Sequence, residues 1–517
     1  MRIGLFFGAG AEICYGLPSG GRFAIDLFRQ DSTQYKSELR DQLRNLDAMS
    51  PYATNWLPQG YLNKRIHAFG RNEFTSLIES SIEYRKDEII RRLNQFDSEC
   101  DAAINALGID REELSDSFER ATGRRIGDSL YTQVIRLNAL LSNDVQIFGS
   151  EFYSAMLDIL RNGDDADDLR RYVAAFLQLL VGAHGQELVQ RLNQDLFEVA
   201  PDDLPIFDDI SGMFRLEFNR AGSTALELLL EESRQFDTSQ DASITSLLCA
   251  IAQQVLENIF TTVLDYQKLI DDHFRYLFSP RTEWAKFTKM VIFLRTARDY
   301  IQAQSPSIEN MPDGGYYHDL AEASNSDLTI SAVGTANYNS LLENISHSIG
   351  LELPPVMHLN GSVRDCYNPY KNSVSISDQA DDLPNEQIQV PFILTQSGLK
   401  PLTSVAMSRR YVKLFDAYRG SDAIVVVGFG FNVDDNHING LFRELIESEG
   451  KPLYWICLAN SGTQQDHQRI LMRNLRLDPA CRDLVRVVTV DEDRQNNNTA
   501  WLTYIASDLA SPQHEGD

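Results

Sequence analysis

Two stretches of this chain, Ile3–Phe7 (IGLFF) and Ala423–Val427 (AIVVV), are apolar at every position. A strand with one face in water alternates polar and apolar residues; an unbroken apolar run suits a strand of a parallel sheet covered on both faces. Five further strand candidates are Leu328–Val333, Val356–Leu359, Val390–Leu394, Leu453–Leu458 and Leu484–Val490. Between them, apolar residues recur at helical spacing in Ser340–Ile349, Ala406–Tyr418, Ile438–Ser448 and Thr499–Leu509. Strands alternating with helices predict an α/β fold with a doubly wound parallel sheet.

The middle of the chain has a different rhythm. Helical spacing runs through Leu130–Leu141, Phe152–Arg161, Leu169–Leu180, Ala225–Phe236, Ile244–Phe278 and Trp284–Ala303, with little strand-like alternation. The expected organisation is a discontinuous α/β domain, residues 1–30 and 326–517, interrupted by a large all-helical insertion at 31–325. The turn-rich Met311–Tyr317 (MPDGGYY) reads as the loop returning the chain to the sheet.

Composition narrows the functional classes. With 43% hydrophobic and 23% charged residues, disorder and low-complexity repeats are excluded. No apolar run reaches the roughly 20 residues a membrane span needs, and the start of the chain has no signal-peptide pattern. The six cysteines are scattered, which argues against a disulfide framework or a zinc site, and a reducing cytoplasm is the expected location. Lys and Arg number 47 against 74 Asp and Glu, a net charge of −27. Such a chain repels phosphate backbones, so neither direct nucleic-acid binding nor a membrane partner is expected. A small anion can still bind where local backbone amides converge. The sequence has no GxxxxGK[ST] phosphate loop and no HExxH-type pair, so neither a phosphate-loop ATPase nor a metal site is expected.

The first constellation with chemical content is Gly8-Ala9-Gly10 at the end of the first strand. Glycines there let a backbone approach a diphosphate, and a helix starting next would offer free N–H groups at its N-terminus. The same string also suits a plain strand–helix turn. A second string weighs for the ligand. Five residues later comes Gly16-Leu17-Pro18, and GAG-x5-G-[IL]-P resembles the opening motif of sirtuin-type NAD-binding proteins. Three further strings resemble that family's motifs, in its order. They are Gly334-Thr335-Ala336-Asn337-Tyr338-Asn339, His358-Leu359-Asn360-Gly361-Ser362, and Val427-Gly428-Phe429-Gly430-Phe431 followed by Asp434, Asp435, His437, Ile438 and Asn439. The last is similar to the form found in prokaryotic sirtuin-like proteins, and Asn460 stands where sirtuins carry an Asn near the adenosine.

The resemblance implies a sirtuin-like, Rossmann-like fold with NAD as ligand. Gly8, Ala9, Gly10 and the Gly428–Phe431 loop (Gly428, Phe429, Gly430, Phe431) would hold the diphosphate and adenosine side, with Pro18, Thr335 and Asn460 nearby. Asn337 is the family's ribose- and water-orienting residue. Read from the residues alone, the alternative is an amide that caps the helix starting near Ser340. The family's catalytic His aligns with Asn360. His358, two residues earlier on a strand and so on the same side, is either a displaced base, with Asn360 holding a ribose hydroxyl and assisting catalysis, or a structural residue. Asn339 replaces the family's usual Asp, and Glu12 stands where Ser is common. A carboxylate there repels phosphate unless it faces the ribose or pairs with Arg22. Asp435 and His437 read as residues of a helix start, with a site role for His437 as the alternative.

Cleavage of the nicotinamide–ribose bond passes through an oxocarbenium-like ribose, so the protein must orient the ribose, stabilise developing charge and place a water. The four-cysteine zinc module of deacetylase sirtuins is missing from this sequence, which argues against protein deacylation. The placement of the helical insertion resembles bacterial anti-phage effectors that destroy NAD. The expected activity is therefore an NAD glycohydrolase giving ADP-ribose and nicotinamide without a metal. It would be gated by homo-oligomerisation or by a partner from the same defence system, such as a translocase-type ATPase or a nucleotide-hydrolysing subunit. The alternatives are a non-catalytic sensor of NAD or ADP-ribose, and an assembly scaffold with a vestigial nucleotide fold.

Overall fold

Arg2–Phe7 (β1) lies at the centre of a six-stranded sheet in which every neighbouring pair is parallel. The other strands are Thr329–Thr335 (β2), Val356–His358 (β3), Ala423–Val427 (β7), Leu453–Leu458 (β8) and Val485–Val490 (β9). Their spatial order is β9-β8-β7-β1-β2-β3. The chain thus lays down β1, β2 and β3 outward in one direction, returns to the centre, and lays down β7, β8 and β9 in the other. That is the strand order of doubly wound dinucleotide-binding sheets, with the topological switch point between β1 and β7. β1 and β7 are buried almost throughout, as their unbroken apolar runs require. Large side chains such as Phe6, Phe7, Tyr418, Tyr454 and Trp501 are fully buried in this unit, each worth about 1.5–3 kcal/mol of transfer free energy.

The computed structural model describes residues 1–517 except 18–19, 131–135, 138–145, 163–165, 185–196, 200–222, 232–234, 240, 265–272, 308, 310, 377–386, 394–403, 433–434, 460–462 and 512–517. Pro18, Asp434, Asn460 and most of the Leu130–Leu141 segment lie outside the described residues.

The chain divides into two compact units, Met1–Ser19 with Asp31–Ala68 and Gln267–Asp517, and Gly20–Gln30 with Phe69–Tyr266. The first unit holds the parallel sheet and also two long helices from the middle of the sequence, Thr33–Asn45 and Trp284–Gln304. The second is helical, built on Gly20–Arg29, Asp167–His184 and Ile244–Val263 among others. Its buried Glu257 accepts hydrogen bonds from Arg22 and Arg29, the latter at 2.8 Å. Among the described residues one helix, Ile244–Val263, is long and apolar enough to cross a membrane. Its apolar residues are mostly buried within the protein, as in a core helix.

One strand expectation is corrected. Val390–Ile393 (β6) does not join the parallel sheet; it pairs antiparallel with Gly361–Asn368 (β4), which also pairs with Ser373–Ile376 (β5). β4 was not legible as a strand because Arg364, Asp365 and Asn368 interrupt its apolar pattern. The buried Asp365 is matched by an ion pair with Arg410 and by a hydrogen bond from Ser362 Oγ at 3.0 Å.

Candidate active site at the carboxyl edge of the sheet

Parallel register brings the strand ends to one level. Phe7 is opposite Thr335 on one side and Val427 on the other, and Thr335 is opposite His358. The segments leaving β1, β2, β3 and β7 therefore emerge together, where α/β sheets bind ligands.

At the switch point the two glycine-bearing loops lie backbone against backbone. Gly8 N–H donates to Val427 O at 2.9 Å and Gly10 N–H to Gly428 O at 2.8 Å. A Cβ on Gly8 would stand 2.6 Å from Gly428 O, and one on Gly428 (φ +67°) would collide with the Ala11 nitrogen. The glycines are thus explained by the contact between the two loops. Ala9–Tyr15 is a short 3-10 helix in which Ala11 N–H donates back to Gly8 O at 3.0 Å. The N–H groups of Gly8 and Gly10 are thus both occupied within the protein. Ala9 and Gly430 are the exposed residues of the pair of loops. The reading of Phe431 is corrected: its side chain is fully buried against Phe429, Phe442 and Trp455, in the core.

Beside these loops, between the ends of β1 and β2, lies a buried polar cluster. Thr335 Oγ1 donates to Phe7 O at 3.1 Å and accepts from the Asn337 backbone N–H at 3.0 Å, fixing the turn after β2. Glu12, 4% exposed, accepts from Tyr317 Oη at 2.8 Å and from Asn339 Nδ2 at 2.7 Å. Asn337 Nδ2 donates to Tyr317 Oη at 3.2 Å. Among the described residues nothing donates to Asn337 Oδ1. Asn339 Oδ1 accepts from Leu341 N–H at 3.0 Å, so Asn339, and not Asn337, takes the capping role at the helix Leu341–Ser348.

Burial pushes the Glu12 carboxyl up to about 7, against the hydrogen bonds from Asn339 and Tyr317, the nearby Asn337 amide and the charge of His358, which pull it down. Burial and the adjacent carboxylate hold the Tyr317 hydroxyl well above its usual range, so it stays a donor. Arg22 is not the partner of Glu12: it pairs with Asp26 and Glu257 in the helical unit.

His358 and Asn360 do not share a strand face, because β3 ends at His358. His358 Nδ1 lies 2.8 Å from Asn337 O and Nε2 lies 2.9 Å from Glu343 Oε1. A carbonyl and a carboxylate only accept, so both ring nitrogens act as donors. Burial lowers the histidine's pKa, but the hydrogen bond and charge of Glu343 outweigh it and the net shift is upward. In this arrangement both ring nitrogens are engaged and His358 fixes the Asn337 backbone, which suits the structural alternative better than a displaced base. Asn360 Oδ1 accepts from His437 Nε2 at 2.9 Å, which brings His437 to the site's edge beside Tyr411.

Asn337, Asn339, Glu12, Thr335 and His358 are thus joined by hydrogen bonds directly or through one residue, and Arg22 is not a member of this network. Tyr317 and Glu343 were missed from the sequence. Tyr317 sits in the turn-rich string read as a connector, and Gly315 (φ +149°) within it lets the Tyr15 ring pack close. Among the described residues no group of His, Cys, Asp and Glu could hold a metal ion. In comparisons with known proteins, no family model matches the chain and no curated protein matches it.

Proposed function

We propose that this chain is an NAD glycohydrolase that cleaves NAD to ADP-ribose and nicotinamide. The observation that carries the reading is the Asn337 amide. It is held by its nitrogen at the carboxyl edge of the sheet, one strand from the switch point, with no described residue donating to its oxygen. An acceptor left open there suits a ribose hydroxyl or an attacking water. Hydrolysis of an oxocarbenium-like ribose needs orientation and charge stabilisation more than a strong base, so engagement of both His358 nitrogens is compatible with it. Exposed Ala9 and Gly430 are the loop positions open to the diphosphate side. The sirtuin-like assignment and the role as an anti-phage effector rest on the motif resemblance. Gating by oligomerisation or by a partner protein is part of the same proposal, with the helical unit as its place.

The test is nicotinamide release from NAD by the full chain and by Asn337→Ala, with and without infected-cell lysate. Release that disappears in the variant supports the reading. A second reading, a sensor that binds NAD or ADP-ribose without turnover, is favoured by the absence of a free ring nitrogen on His358. Saturable NAD binding with no nicotinamide release under every condition would select it.

A further inference from the structure

The hydrogen-bond chain Glu12–Tyr317–Asn337 has a direction, and that direction decides which end of the Asn337 amide is left for a ligand. An ionised carboxylate only accepts, so the single Tyr317 hydroxyl hydrogen goes to Glu12 Oε1 at 2.8 Å. Tyr317 Oη is then an acceptor toward Asn337, which must present Nδ2, at 3.2 Å. Oδ1 remains for the ligand. When Glu12 carries a proton on Oε1, the same contacts run in reverse. Glu12 donates to Tyr317 Oη, Tyr317 turns its hydrogen toward Asn337, and the amide rotates to accept with Oδ1 and leave Nδ2 outward. The proton comes from solvent and stays on Glu12, Tyr317 keeps its own hydrogen, and Asn339 still donates to Oε2 at 2.7 Å.

We infer that Glu12 and Tyr317 are positioning residues for Asn337: the ionisation of Glu12, transmitted through the Tyr317 hydroxyl, sets whether the amide offers an acceptor or a donor to the ribose. This rests on the reading of Asn337 as the residue that orients ribose or water. The groups facing Glu12 are Asn339, Tyr317 and Asn337, with the charge of His358 behind them; burial outweighs all four and sets the transition at about 7. The Tyr317 ring is held independently of its hydroxyl, stacked on Tyr15 at 5.3 Å and edge-on to Phe7 at 5.1 Å. Tyr317→Phe therefore removes the connection and keeps the packing.

The experiment is side-chain amide NMR of the full chain carrying isotope-labelled asparagine, with the Asn337 signals identified by their loss in Asn337→Asp. In the wild type these signals should move through a transition centred at about pH 7. In Glu12→Gln and Tyr317→Phe they should be flat. A flat wild-type profile, or a transition that persists in Tyr317→Phe, overturns the inference; if the variants do not fold, the wild-type profile decides. In nicotinamide release, Tyr317→Phe should lower kcat about tenfold with KM within about twofold, and Glu12→Gln should flatten the pH dependence of kcat. If the wild type releases no nicotinamide yet its amide titrates, the glycohydrolase reading fails and the positioning role stands. If it releases nicotinamide and the amide is flat, the positioning role fails and the glycohydrolase reading stands.

Discussion

Tyr317 and Glu12 are 305 positions apart in the chain and 2.8 Å apart at their polar atoms. The contact closes the carboxyl edge of the sheet between β1 and β2, and it places a buried carboxylate one hydroxyl away from Asn337. Most of what this edge can do depends on how that carboxylate is accommodated.

Glu12 makes the first unit's stability depend on pH. A carboxyl raised from 4.5 to about 7 stabilises the fold while protonated, fully below pH 4.5, and that contribution is lost as pH rises through 7. At about 1.4 kcal/mol per unit the loss is on the order of 3 kcal/mol. Glu12→Gln cannot ionise. Urea titrations at about pH 5 and 8 should therefore show the variant gaining on the wild type at the higher pH by an amount of this order. A difference between the two proteins that does not change with pH would contradict the assignment.

Tyr317→Phe should destabilise by about 1–3 kcal/mol, the consequence of leaving Glu12 Oε1 buried without its donor. The effect should be larger at pH 8 than at pH 5, because an ionised carboxylate needs the donor more. Thermal unfolding at the two pH values checks this.

The His358–Glu343 pair has the opposite chemical origin but the same sign. A histidine raised above 6.5 contributes stability that is complete below 6.5 and is lost as pH rises through its folded value. Glu343→Gln removes the cause of the shift, so its stability deficit should be largest in mildly acidic buffer and shrink above neutrality. A deficit that grows with pH would mean that His358 is neutral in the fold.

Gly428→Ala tests the contact between the two loops. The residue has φ +67°, and a methyl group there meets the Gly10–Ala11 backbone. Strain and collision together should destabilise by roughly 2–4 kcal/mol, far more than Gly430→Ala, where the nearest atom is a side-chain amide at 3.5 Å. Comparable effects at the two glycines would contradict the loop packing.

The sequence made the central sheet legible because β1 and β7 must be apolar on both faces, and that requirement leaves an unbroken run. Asn337 and Asn339 were legible through the resemblance of Gly334–Asn339 to a sirtuin motif, not through their local pattern. Tyr317 was hidden for a different reason: its role depends on a contact across nearly the whole first unit, and its local string of Gly, Asp and Pro carries only a turn signal. Phe431 shows the converse error. Its place in a loop motif suggested a ligand, but a buried φ of +51° turns its ring into the cluster of Phe429, Phe442 and Trp455. The three-stranded antiparallel sheet was obscured because its central strand buries Asp365, whose burial is supported by an Arg410 that lies 45 residues away.

The central claim is tested most directly by identifying the products formed when NAD is incubated with the full chain in infected-cell lysate, beside the Asn337→Ala variant at equal concentration. The account predicts equal amounts of ADP-ribose and nicotinamide from the wild type, and a fall of at least about a hundredfold in the variant. NAD that binds and is recovered intact, or product formation that Asn337→Ala leaves unchanged, would contradict it.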